Sequence, residues 1–323
     1  MGGALALGID VGGTKTAMGL VDEAGAIVRH HSLPTRESPQ AGLSEVAEVV
    51  GEWRDLRPSS VGLVVPGLVS NGVVRAAANL GGWVDEPLDA LLTDVFALPA
   101  VVANDAQAAA WGEYVHGGSD GPNLVALTLG TGLGGGLVLG GRPYVGEGFA
   151  GEVGHVRLVE GGRACACGQR GCWERYASGS AVVLEVLERL ELLGQVPTSL
   201  HDAGTDLTAR TVVAHARAGD PLSLAAVEAV GRRLGEGLAA LVNLLDPSSV
   251  VIGGGLAAAA DLLLPPARRV LEQAILGGTS RRSPGLRVAR LGAAAGMVGA
   301  AALGRAGDAV VTASAGTSAT PAA

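Results

Sequence analysis

Apolar positions along the chain fall into short runs split by glycine turns, and into longer stretches with one-sided helical spacing. Leu5–Ile9 and Thr16–Val21 are runs of strand length on either side of the turn Asp10-Val11-Gly12-Gly13-Thr14, and Ile27–Leu33 predicts a third strand. Across Pro39–Trp53 the apolar residues Leu43, Val46, Ala47, Val50 and Trp53 recur at three- and four-residue intervals, which predicts a helix with one buried face. Val61–Val65 and Ala100–Ala103 predict two more buried strands. Asn104–Tyr114 predicts a helix begun by Asn104 or Asp105.

The pattern then restarts. Leu124–Leu129 and Leu137–Leu139 predict strands flanking Gly130-Thr131-Gly132-Leu133-Gly134-Gly135-Gly136. An apolar strand, a glycine turn carrying a hydroxyl and a second apolar strand thus occur twice, which reads as an internal repeat of two related lobes. Helices follow at Ala181–Leu193, Thr208–Ala218 and Pro221–Leu245, the last with Asp220 as N-cap, Pro221 at its first position and Asp246-Pro247 as its stop. Val250–Ile252 predicts a buried strand running into Gly253-Gly254-Gly255, and Leu286–Leu291 a further strand. Gly292–Leu303 predicts an Ala- and Gly-rich helix, and the Ala, Ser, Thr, Gly and Pro composition from Gly307 onward predicts a disordered tail. Strands alternating with helices make the class α/β.

Composition narrows the chemistry. The 323 residues have room for two domains, and with 48% hydrophobic and 17% charged residues the chain is globular. A formal net charge of −8 and the absence of any Lys/Arg block argue against nucleic acid or an anionic membrane as partner. The N-terminus carries no basic, apolar leader and no apolar run is long enough to span a bilayer, so the expected location is cytoplasmic. All three cysteines lie within Cys165–Cys172, an odd and tight cluster that suggests metal ligation before disulfides.

Two glycine loops are candidate phosphate sites. In the first, Gly12 and Gly13 let backbone N–H groups approach an anion, while Thr14 offers a hydroxyl, Lys15 a charge and Asp10 a carboxylate for hydrated Mg2+. The second is Gly130–Gly136 with Thr131. Each alone reads equally well as a hairpin turn; as a pair they suggest a nucleotide gripped from two lobes. Gly253–Gly255 suits an adenosine, or is a plain strand-to-helix turn. Neither loop has the P-loop spacing, and a strand rather than a helix follows the second, which counts against a Rossmann site. Asn104-Asp105, after a buried strand, is placed to offer a general base to an attacking hydroxyl, or simply to cap the next helix.

His155, Cys165, Cys167 and Cys172 make a Cys3His set, the composition of a closed structural zinc site. Glu152 and Glu174 bracket it, and carboxylates held by such a knot suit hydrogen bonding to neighbouring sugar hydroxyls.

The two loops resemble those of the actin, hexokinase and Hsp70 superfamily. The ordered set Asp-x-Gly-Gly-Thr-Lys, Asn-Asp, Gly-Thr-Gly-x-Gly-x-Gly, Glu-x-Gly-His and Cys-x-Cys-Gly-x-x-Gly-Cys-x-Glu, spanning about Leu5–Leu303, resembles the ROK family of repressors and sugar kinases. The resemblance implies two ribonuclease-H-like lobes with a cleft between them: a small lobe 1–106, a large lobe 107–292 holding the zinc loop 155–172, a helix 293–306 returning to the small lobe, and a tail 307–323. It implies Asp105 as catalytic base, with Gly67, Asn79, Asn104, Asp105, Glu152, His155 and Glu174 at the sugar. The nucleotide residues it implies are Asp10, Gly12, Gly13, Thr14, Lys15, Gly130, Thr131, Gly132, Gly134, Gly254 and Gly255. ATP with Mg2+, one structural zinc, and a homodimer or homotetramer complete the expectation. Only nine residues precede Asp10, so a kinase is expected rather than a repressor with a DNA-reading domain. The expected reaction is phosphorylation of the glucose 6-hydroxyl. The family's alternatives are N-acetylglucosamine, N-acetylmannosamine or fructose as acceptor, and polyphosphate as donor.

Overall fold

The computed structural model describes residues 4–53, 55–77, 80–194, 196–200 and 207–307. The described chain forms two compact units. Among the described residues, unit 1 draws on 4–126, Gly136–Gly151 and 290–307, and unit 2 on Leu127–Gly135 and Glu152–Ala289.

Unit 1 begins with strands β1 (Leu5–Val11), β2 (Lys15–Val21) and β3 (Ile27–Pro34), then helix α1 (Pro39–Glu52) and strand β4 (Pro58–Val65). A small hairpin of β5 (Leu68–Ser70) and β6 (Val73–Ala76), helix α2 (Leu88–Phe96), strand β7 (Ala100–Asn104) and helix α3 (Asp105–Val115) follow. The sheet order is β3-β2-β1-β4-β7, antiparallel from β3 to β1 and parallel from β1 to β7. On one face, Leu7, Ile9, Met18 and Leu63 pack with Leu43 and Val46 of α1 and Leu88 and Leu92 of α2. The hairpin and α2 were not foreseen: α2 is only nine residues long and its amphipathic signal is too short to stand out.

The remaining strands are β8 (Leu124–Leu129), β9 (Leu133–Leu139), β10 (Arg142–Pro143), β11 (Ser249–Gly253) and β12 (Gly285–Val288). Their order, β10-β9-β8-β11-β12, reproduces that of the first sheet strand for strand, the structural form of the repeat read from the sequence. The helices are α4 (Gly179–Leu193), α5 (Ala209–Arg217), α6 (Pro221–Leu245), α7 (Ala260–Ala274) and α8 (Ala295–Ala306). As expected, Asp220 caps α6, its carboxylate accepting from the Ser223 amide at 2.9 Å, with Pro221 in the first turn. Burial pushes the Asp220 carboxyl up, but hydrogen bonds from Ser223, Ser199 and Thr198 prevail and bring it to about 2.

Three sequence expectations shift. Gly134, Gly135 and Gly136 lie inside β9, so the second loop is only Gly130–Gly132, closed by the Gly130 N–H on the Gly132 carbonyl at 3.0 Å. The strand expected at Leu286–Leu291 ends at Val288. Helix α7 was missed because Pro265 and Pro266 argue against a helix; here Pro266 packs against Gly231 of α6, and tertiary contact outweighs the local penalty.

Helix α8 belongs with unit 1. It lies on the second face of the first sheet, with Ala300 and Leu303 among Val64, Val101, Ala103 and Ala108, and Val298 and Ala301 against Ala6 and Val21. The approach is close because Gly8 and Gly62 stand side by side on β1 and β4. A β-carbon on either would come within 2.0 or 1.8 Å of a helix carbonyl, that of Met297 or Ala300. The expected boundary after residue 106 separates α3 from the strands before it; by packing, α3 goes with unit 1 through its contacts with α8. Among the described residues no helix is long and apolar enough to cross a membrane. Residues 308–323 lie outside the described residues, as does Asn79.

Candidate active site

The Cys3His cluster is built by a loop with almost no regular structure, and backbone hydrogen bonds hold it. The amides of Leu158 and Trp173 donate to the carbonyls of Gly171 and Val156, each at 2.8 Å, and the Cys165 amide donates to Gln169 at 2.9 Å. Trp173 anchors the loop: it is 1% exposed, fills the space left by Gly237 of α6, and its Nε1 donates to the Arg233 carbonyl at 2.9 Å. Arg163 ties the other side to α4, pairing with Glu185 at 2.8 Å and with Glu188.

The ligand atoms of His155, Cys165, Cys167 and Cys172 all lie within 4.8 Å of one another. Cys165 Sγ is 3.7 Å from His155 Nδ1, and Cys167 Sγ is 3.6 Å from Cys172 Sγ. Four ligands bound tetrahedrally to zinc at about 2.0–2.3 Å stand about 3.4–3.8 Å apart; these two pairs match that separation, and the donor set fits zinc in its chemistry. His155 turns Nδ1 to the cluster and leaves Nε2 on the side of Glu152, whose Oε2 is 3.9 Å away. Burial raises the Glu152 carboxyl, with His155 opposing and Glu174 adding to the shift.

Glu174 does more than the sequence indicated. One carboxylate oxygen accepts from the Leu133 amide at 3.2 Å and fills the space that a side chain at Gly132 would need. The other lies 3.5 Å from Cys165 Sγ. The carboxylate therefore joins the Cys3His cluster to the second glycine loop, two features that looked separate in sequence.

That loop borders a cavity of about 690 Å³ within unit 2. Gly130 and Thr131 line it from one side, Gly255 and Leu256 from another, so the second and third glycine motifs meet here. They meet because Gly254, at φ +81°, lies against the backbone of Leu129, the residue just before the loop. The start of α4 closes the cavity, with the Gly179 amide donating to the Gly130 carbonyl at 2.8 Å. Ser180 in the first turn of α4 and Thr208, the N-cap of α5, also line it, so the starts of two helices border the cavity. Ser180, Thr208, Arg210 and Arg217 were missed from the sequence; the N-cap signals of Ser178 and Thr208 were the available clue.

In unit 1, the first glycine loop is a hairpin turn between β1 and β2, with the Gly12 amide on the Lys15 carbonyl at 2.9 Å. Thr35 Oγ1 donates to the Gly12 carbonyl at 2.7 Å and so holds the turn. Gly13, Thr14 and Lys15 are exposed, while Asp10 is half-buried at the end of β1. Burial raises the Asp10 carboxyl, and Lys15 pulls it back.

Asn104 is indeed the N-cap of α3, its Oδ1 accepting from Ala106 and Gln107 at 2.9 and 3.1 Å. Its Nδ2 also donates to the Gly67 carbonyl at 2.9 Å, which brings the looser sequence candidate Gly67 to the same point. With Asn104 as the cap, Asp105 becomes the first helical residue, half-buried, its Oδ1 on the Ala106 amide at 2.8 Å. Of the expected site residues, Asp10, Gly12, Gly13, Thr14, Lys15, Gly67, Asn104 and Asp105 fall in unit 1. Gly130, Thr131, Gly132, Gly134, Glu152, His155, Glu174, Gly254, Gly255 and the cysteines fall in unit 2.

Known proteins resemble this chain in sequence and fold. The sequence model of the ROK family matches residues 6–306. A glucokinase of Streptomyces coelicolor is 40% identical over 316 residues, covering 95% of this chain and 99% of that protein. An N-acetylmannosamine kinase of Citrobacter koseri is 37% identical over 76% of this chain and 82% of its own. The crystal structure of a ROK family glucokinase from Streptomyces griseus in complex with glucose and AMPPNP superposes with a TM-score of 0.79. It is 36% identical, and the match covers 94% of this chain and 100% of that one.

Proposed function

This chain belongs to the ROK family, and we propose that within it the protein acts as an ATP-dependent glucokinase, moving the γ-phosphoryl group of ATP to the 6-hydroxyl of glucose. The fold is that of the actin, hexokinase and Hsp70 type. The observation that carries the reading is full-length likeness to glucokinases in a chain that keeps Asp105 at the amide end of α3.

Asp105 takes the proton of the 6-hydroxyl as that oxygen attacks the γ-phosphorus; the bond to the β-phosphate oxygen breaks and its electron pair leaves with ADP. Asn104, fixed by its cap and by Gly67, orients the sugar beside it. Glu152, His155 through Nε2, and Glu174 bind the remaining hydroxyls, as bidentate acceptors and a ring nitrogen can. The cavity beside Gly130, Thr131 and Gly255 suits the adenosine end of the nucleotide, apolar Val183, Val213 and Leu256 receiving the base. Asp10, Thr14 and Lys15 serve the phosphates, and the Mg2+ that accompanies ATP neutralises their charge. Zinc held by His155, Cys165, Cys167 and Cys172 is structural: four protein ligands leave no position for a reacting water. The reading includes a cytoplasmic protein working as a homodimer or homotetramer.

A coupled assay of the purified protein, with ATP or polyphosphate against a panel of hexoses, tests it. Glucose with ATP is expected to give the highest kcat/KM, and a higher value for N-acetylmannosamine, or for polyphosphate as donor, refutes it.

A further inference from the structure

Helix α8 is a run of alanines interrupted by three glycines that follow its first residue, Gly296, Gly299 and Gly304. Glycine is among the poorest helix formers and alanine the best, so each glycine calls for a reason. None of the three has positive φ. Two are explained by packing against backbone: a β-carbon on Gly299 would lie 1.9 Å from the Ala108 carbonyl oxygen, and one on Gly304 2.7 Å from the Gly62 nitrogen. Gly296 is different. A β-carbon there would lie 2.3 Å from Asp10 Oδ2, 2.9 Å from its Cγ and 3.4 Å from Oδ1. The nearest atoms it makes room for all belong to one carboxylate.

We propose that Gly296 is a positioning residue for phosphoryl transfer: its missing β-carbon lets the Asp10 carboxylate lie against the first turn of α8, at the angle needed to face the nucleotide's hydrated Mg2+. The geometry follows from the strand. Gly8 and Asp10 are two apart on β1 and share a face, and Gly8 already lies against Met297 one residue further along the helix. The first turn of α8 has no side-chain cap of its own, and its amide end favours a negative charge placed there. Burial works against an ionised Asp10, with Lys15 opposing it, and the helix end acts in the same sense as Lys15. The inference rests on the reading of Asp10 given above.

Gly296→Ala separates position from packing. The obstructing atoms are the end of a side chain that can rotate, so the variant is expected to fold with an unchanged or higher melting temperature. The carboxylate swings aside, and a shift of about 1 Å at such a group costs up to ~10²-fold in rate. With MgATP, kcat should fall by roughly 10- to 100-fold and the Mg2+ concentration for half-maximal activity should rise several-fold, while the KM for glucose stays within about twofold. In an Asp10→Asn background the same change should cost nothing further on the residual rate. Wild-type kinetics and Mg2+ dependence in folded Gly296→Ala overturn the inference. So does its full penalty persisting in the Asp10→Asn background, or an unfolded Gly296→Ala protein, because packing would then set the requirement. If Asp10→Asn alone keeps more than about a tenth of the wild-type rate, the reading of Asp10 itself fails.

Discussion

Removing the metal should weaken nucleotide as well as sugar, and Cys167→Ser is the perturbation that isolates the effect. Cys167 is the exposed cysteine of the three, so its replacement disturbs the core less than that of Cys165 or Cys172. Without a fourth ligand the remaining thiols lose their common partner, and Cys165 Sγ no longer holds its place 3.5 Å from Glu174. Glu174 is then free to leave the Leu133 amide, which it now accepts from at 3.2 Å. A hydrogen bond to a charged group contributes about 1.5–3 kcal/mol; this one is only partly buried, so about 1.5 kcal/mol is the appropriate figure. That corresponds to about tenfold in affinity for a ligand needing the loop in its ordered form. At the sugar the loss is larger, because Glu152, His155 and Glu174 move together and 1 Å of misplacement can cost ~10²-fold. In sequence both glycine loops lie outside the Cys3His knot, which by itself points to a larger effect on sugar than on nucleotide; the Glu174 bridge gives the nucleotide a share of the loss. The assay is threefold: zinc content by elemental analysis, KM for glucose and for ATP varied separately, and calorimetric binding of a non-hydrolysable ATP analogue without sugar. Wild-type protein should hold about one zinc per chain. If Cys167→Ser has lost its zinc and binds the analogue as tightly as wild type, the bridge carries nothing. If its KM for glucose is also unchanged, the link between metal and sugar site is wrong.

Asp105→Asn should leave the fold and sugar affinity nearly intact, because Asn104 supplies the cap, and should cut kcat by ~10²–10⁴-fold. A rate above about a tenth of wild type would remove Asp105 from the role of base. Asp220 is buried, and its carboxyl is held at about 2 against an ordinary value of 3.8, so its contribution is fully present above pH 4 and is lost as pH falls toward 2. Asp220→Ala should therefore lower stability at pH 7 by on the order of 2 kcal/mol, with a deficit that shrinks below about pH 4; a pH-independent deficit in denaturant titrations contradicts this.

What the sequence determined by itself is the chemistry written in short range. That His155, Cys165, Cys167 and Cys172 gather in one place was readable because all four lie within one short stretch of chain. The cap at Asp220, the Asn104-Asp105 junction and the β1–β2 turn were readable for the same reason: each is a local bond between a side chain or glycine and backbone a few residues away. Even the internal repeat was visible as two strand–glycine–strand passages, although the shared strand order came only from the sheets. Where local rules were outvoted, the sequence misled. Pro265 and Pro266 sit inside α7, where Gly231 of α6 receives Pro266, and Gly134–Gly136 form strand rather than loop because a sheet supplies their hydrogen bonds. Other facts have no local signature at all. That Glu174 bonds Leu133 across 41 positions, that Thr208 and Arg210 line one cavity with Gly130, and that Gly296 yields its side-chain space to Asp10 are consequences of packing. A motif fixes which groups are present; only close packing of distant segments decides which of them touch, and a β-carbon's width is enough to change the answer.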